Sequence, residues 1–114
     1  MNIKEQARGM AEALSKNKAF DITLINIAEK SSFADFFVNA TAGSERQLNA
    51  LKEAVEEYAF SIGLEAKSIE GKQGSGWTLI DYGDVVVNIF SSEMRDKYSL
   101  DKIWGDCEII HIGE

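Results

Sequence analysis

Apolar residues at Ile3, Ala7, Met10 and Leu14 recur at helical spacing, with Lys4, Glu5, Arg8 and Glu12 between them. A period near 3.6 predicts an amphipathic helix that ends near Ser15 to Asn17. Two short runs follow, Asp21 to Ala28 and Phe36 to Thr41, rich in β-branched and aromatic residues. Bounded by polar turns, they read as buried strands, with Ser31-Ser32 in the turn between them. Ser44-Glu45-Arg46-Gln47 then fits a capping box, in which the Ser44 hydroxyl accepts from the Gln47 amide and the Gln47 side chain returns to the Ser44 amide. Leu48, Leu51, Val55, Tyr58 and Ile62 continue as the apolar stripe of a second helix, and Gly63 is placed to close it in a left-handed cap.

Beyond Gly63 the pattern changes to short strands: Glu65 to Glu70, Trp77 to Tyr82 and Val85 to Phe90. Gly83-Asp84 occupies the place of a two-residue hairpin turn. Val85-Val86-Val87 is apolar on both faces, so its strand belongs inside the sheet, covered on both sides. Gly71 to Gly76 holds too many glycines for helix or strand and reads as an exposed loop. Ser91 to Lys97 and Leu100 to Trp104 read as one or two short terminal helices. The order α-β-β-α-β-β-β-α predicts a single mixed sheet of about five strands flanked by helices, an α/β fold. With 114 residues, 45% of them hydrophobic, the chain can bury one core, so residues 1–114 are expected to form one domain. It contains no proline, so no X-Pro isomerisation limits its folding.

Charge narrows the partners. A formal charge of −7 repels nucleic acid backbones and favours a basic protein surface. Charged residues interrupt the first 20 positions, which argues against a signal peptide, and no run approaches the roughly 18 apolar residues of a membrane span. The expected location is the cytoplasm. A lone Cys107 cannot form an intrachain disulfide.

Several residues invite chemical readings. Asp81 and Asp84 flank the hairpin and could serve acid–base work or a magnesium ion, but Asp at such positions usually bonds nearby backbone amides. His111 and Cys107 have no partners at ligand or catalytic spacing. Gly71 to Gly76 lacks the Lys-Ser/Thr ending of a phosphate loop and leads into a strand rather than a helix. Trp77, Tyr82, Tyr98 and Trp104 are of the type enriched at interface hot spots. With Asp81, Asp84, Glu93, Asp96 and Asp101 around them, they suggest a partly apolar, acid-rimmed patch where the hairpin meets the C-terminal helices.

Asp81-Tyr82-Gly83-Asp84, then Glu93, Arg95, Tyr98-Ser99-Leu100 and Ile103-Trp104, form a specific pattern. With Ser31 to Val38, Thr41 to Gln47, Glu70-Gly71 and Trp77, it resembles the ribosomal silencing factor (Iojap-like) family over roughly residues 3 to 106. Relatives often carry His where Asn88 stands here. A buried Asn would hydrogen-bond within the sheet, whereas an exposed one would face a partner. The resemblance implies an α/β/α arrangement similar to the nucleotidyltransferase fold. Gly43-Ser44 matches the phosphate-holding start of such enzymes, but Val55-Glu56-Glu57-Tyr58 replaces their Asp-x-Asp strand, within a helix where adjacent carboxylates diverge. What the resemblance implies instead is a translation repressor, with no cofactor, metal or catalysis. It would bind ribosomal protein uL14 of the large ribosomal subunit and block joining of the small subunit. The residues expected at that contact are Trp77, Leu79, Asp81, Tyr82, Met94, Tyr98, Leu100 and Trp104. Two other readings are a nucleotide-binding or nucleotidyltransferase-like enzyme using Gly43, Ser44 and Asp81, and a homodimer formed through the apolar patch.

Overall fold

The computed structural model describes residues 2–71, 74–97 and 105–112. Helix α1 (Ile3–Lys16) starts with a reciprocal cap in which Asn2 Oδ1 accepts from the Glu5 amide at 2.8 Å and Glu5 Oε1 accepts from the Asn2 amide at 3.0 Å. These bonds satisfy amides that a helix start otherwise leaves without partners. The expected face packs inward, with Ala7, Met10 and Leu14 fully buried. Strands β1 (Phe20–Asn26) and β2 (Phe36–Ala42) pair antiparallel. Their register is interrupted between Phe20 and Thr23, where Asp21 takes a φ of 50°. An Asp tolerates this left-handed geometry, which lets the chain bulge as it enters the strand.

Helix α2 (Glu45–Ser61) starts at Ser44, whose Oγ accepts from the Gln47 amide at 3.0 Å. The other half of the expected box differs. Gln47 Oε1 accepts from the Gly43 amide, one residue earlier, while its Nε2 donates to the carbonyls of Asn17 and Lys18. Gln47 thereby ties the start of α2 to the end of α1. Leu48, Leu51, Val55 and Ala59 are buried, whereas Tyr58 is half-buried and Ile62 caps the C-terminus. Gly63 follows with a φ of 80°.

Strands β3 (Ser68–Glu70), β4 (Trp77–Asp81) and β5 (Val85–Ser91) complete an antiparallel meander closed by the Gly83-Asp84 turn, where the Tyr82 amide donates to the Val85 carbonyl at 2.9 Å. Short helix α3 (Ser92–Lys97) and strand β6 (Glu108–Ile112) follow. The sheet order is β3-β4-β5-β2-β1-β6, with β5 parallel to β2 and the other described pairs antiparallel. The mixed α/β sheet is therefore the expected one, with six strands among the described residues rather than about five. β6 is absent from the sequence-based expectation, because Ile109, Ile110 and Ile112 around His111 form a short run without clear alternation. Residues 98–104, including the expected second terminal helix, lie outside the described part.

Alternation of side chains divides the sheet into two faces. One carries Leu24, Val38, Ile80, Val87 and Ile89 and meets α1 and α2 in the larger core. Each fully buried Leu or Ile there contributes about 2 kcal/mol through the area removed from water. The second face carries Ile25, Phe37 and Val86 at one end, the polar residues Thr23, Thr41, Asn39 and Asn88 along its middle, and Trp77 and Phe90 at the other. No helix among the described residues is long and apolar enough to cross a membrane.

Candidate functional site

The second face holds a cleft of about 270 Å³ lined by Glu70, Gly71, Ser75, Trp77, Leu79 and Met94. Three expected contact residues, Trp77, Leu79 and Met94, thus come together, the first two by alternation along β4 and the third from α3. Trp77 is half-buried, with its ring against Phe90 at a centroid separation of 5.2 Å. Its Nε1–H donates to Asn88 Oδ1 at 3.0 Å. Asn88, 1% exposed, in turn donates from Nδ2 to Oδ1 of the fully buried Asn39 at 3.1 Å. Asn88 is therefore a buried residue bonded within the sheet and supports the cleft from beneath.

The glycine loop forms the rim. Gly71 and Gly76 take φ values of 124° and 79°, and the Gly76 carbonyl accepts from the Ser91 amide at 2.8 Å. Glu45 Oε2 accepts from the Gly74 amide at 3.1 Å, pinning the loop to the start of α2. On the opposite side, Arg95 anchors α3 by donating to Thr41 Oγ1 at 3.0 Å and to Thr23 Oγ1 at 3.4 Å. This bond pair sets where the neighbouring Met94 lies. Glu70 lines the cleft and is exposed, as are Glu93 and Asp96 on α3, whereas Asp84 is exposed in the turn at the other end of β4.

Other expected residues fall elsewhere. Tyr82 is buried in the larger core, on the face away from Trp77, and burial followed by the Glu56 carboxylate pushes its hydroxyl up to about 12. Its ring is a core element and cannot line the cleft. Asp81 Oδ1 accepts from the Gly83 amide at 2.7 Å, the turn role that competed with a carboxylate-pair reading. Tyr98, Leu100 and Trp104 lie outside the described residues. Gly43 and Ser44 are engaged by Gln47. Sequence reasoning passed over Asn39, Glu70 and Ser75 as site residues and gave Arg95 no role. The available signal was a pair of amides, Asn39 and Asn88, inside two otherwise apolar strands.

At the far end of the second face, Phe33 packs on Phe37 at 6.0 Å between centroids. Lys30 and Asp106 form an ion pair there that joins the β1–β2 loop to the turn before β6. Asp106 is held below the ordinary carboxylate range by its bond to Lys30, and Lys30 is held above its own by the same bond.

These features define a mixed α/β protein whose second sheet face carries an apolar-floored cleft with Glu70 on its lining. The family described as "Ribosomal silencing factor during starvation" matches residues 1–114, and the chain belongs to that family. It is 34% identical over 112 residues to the ribosomal silencing factor of Halalkalibacterium halodurans, covering 98% of this chain and 96% of that one. The counterpart from Bacillus subtilis is 33% identical over 109 residues, covering 96% and 92% respectively. A crystal structure of a protein from Chromobacterium violaceum gives a TM-score of 0.88 at 32% identity, covering 92% of this chain and 88% of that one.

Proposed function

We propose that the protein represses translation by docking on the large ribosomal subunit through ribosomal protein uL14, so that its bulk excludes the small subunit. Membership of a ribosomal silencing family supports this reading. The observation that carries it is the cleft: Trp77, Leu79 and Met94 provide an apolar floor on a protein of charge −7, with Glu70 on the lining and Glu93 and Asp96 exposed on α3, the helix that supplies Met94. Apolar anchors supply affinity, and the acidic groups speed and orient encounter with a basic surface. The action needs no bond-making step, and the cytoplasm is its site. Tyr98, Leu100 and Trp104 are proposed to extend the contact.

The test is light scattering of purified large and small subunits mixed with and without the protein preincubated on the large one. Dose-dependent loss of joining is expected. Leu79→Asp, which puts a charge on the floor of the cleft, should restore joining while leaving the melting transition cooperative. Normal joining at saturating wild-type protein would refute the reading, and full inhibition by Leu79→Asp would refute this surface.

A further inference from the structure

Two fully buried amides facing each other across adjacent strands are not what packing alone selects. Asn39 and Asn88 are register neighbours on β2 and β5 and are 0% and 1% exposed. An apolar pair of similar shape would serve the core about as well, since replacing both partners of a buried hydrogen bond is close to neutral. The amide pair supplies something an apolar pair cannot: an oriented acceptor. Asn39 Oδ1 takes the Asn88 amide proton at 3.1 Å, which turns Asn88 Oδ1 toward the indole Nε1–H of Trp77 at 3.0 Å. Trp77 lies opposite Phe90, so Asn88 is its diagonal neighbour across the strand pair, within reach of a long side chain.

We propose that Asn39 and Asn88 are positioning residues, forming a relay that fixes the Trp77 indole as the wall of the cleft. Its bearing on docking rests on the function proposed above. The relay holds one edge of the ring and Phe90 packs against it, and the ring lines the cleft together with Leu79 and Met94. A ring already held in place loses less freedom when a partner binds, and affinity rises accordingly.

The deciding variant is Asn39→Leu with Asn88→Leu, which removes both sides of the bond between the amides and takes the acceptor from the Trp77 indole. Three quantities are measured on the full chain: the melting temperature, solvent exchange of the Trp77 indole N–H by NMR, and affinity for purified large subunits. The Trp77 signal is assigned from its disappearance in Trp77→Phe. Expected are a melting temperature near wild type, indole exchange at least tenfold faster, and binding about tenfold weaker. A purely structural role predicts that binding returns with stability. Unchanged indole exchange would overturn the relay, and wild-type affinity with a fast-exchanging indole would overturn its part in docking. If wild type fails to bind the subunit, the functional reading falls, while the exchange comparison still decides whether the amides hold the ring. Should the double variant not fold, Asn88→His carries the test. One imidazole nitrogen can accept from the indole and the other can donate to Asn39, so slow exchange should persist, whereas fast exchange would overturn the relay.

Discussion

A methyl group at Gly71 would test how the cleft is built. The residue has a φ of 124°, and a Cβ there would lie 2.3 Å from the Trp77 carbonyl oxygen, 3.0 Å from Thr78 Cα and 3.2 Å from the Trp77 carbonyl carbon. Ordinary contact begins at 3.4 Å, so the closest approach is short by 3.4 − 2.3 = 1.1 Å. All three neighbours are backbone atoms of β4, which cannot rotate aside as a side chain can. Gly71→Ala therefore meets two penalties: about 1–3 kcal/mol of backbone strain and about 1–3 kcal/mol of overpacking. Gly74→Ala is the control, because its φ is 86° but nothing lies within 4 Å of the added carbon. It should cost only about 1 kcal/mol. In a domain of this size 1 kcal/mol moves the melting temperature by about 4 °C, so with each penalty near the middle of its range drops of about 16 °C and about 4 °C are expected. Differential scanning calorimetry reads both. Because Gly71 and Trp77 line the same cleft, Gly71→Ala should also weaken inhibition of subunit joining. Equal melting shifts in the two variants would mean that the close approach to β4 does not constrain this loop.

Three further outcomes are expected. Tyr82 has its hydroxyl raised from 10.0 to about 12 on folding, so the stability it contributes is present below pH 10 and is lost as pH rises from 10 towards 12. Tyr82→Phe should flatten that part of a melting-temperature profile, and parallel profiles would contradict the assignment. Arg95→Met strips buried Thr41 and Thr23 of a charged donor and should cost about 2 kcal/mol in urea denaturation, an unchanged midpoint showing that α3 is held by other means. Ser44→Ala removes the acceptor for the Gln47 amide and should cost about 1 kcal/mol. No loss would show that the Gln47 side chain alone closes the helix start.

Much of the scaffold was legible because local rules agree with the final packing. The stripe of α1, the Ser44 cap and the Gly83-Asp84 hairpin all depend on residues within a few positions of one another. Val85 to Val87 announced a central strand through its lack of alternation, and β5 does lie between β4 and β2. The second half of the α2 cap was less readable, since Gln47 chose the Gly43 amide and two carbonyls about 30 positions away. The site was legible in part. Alternation on β4 puts Trp77 and Leu79 on one face and Tyr82 on the other, which a reading of the aromatics as one patch overlooked. The bonds from Trp77 to Asn88 to Asn39 join three strands, and no local pattern reveals such a line.

The position of β6 has a consequence for the order of assembly. Ile25 pairs with Ile109, 109 − 25 = 84 residues later, so this ladder closes a very long loop. Closing such loops slows folding, and the contacts that require them form late. β6 is also poorly covered, with Glu108 and His111 exposed and its isoleucines only half-buried. The last ladder to zip is thus among the easiest to open. When it opens, Ile22 to Asn26 of β1 present a bare row of amides and carbonyls, a template on which another extended chain can lay itself.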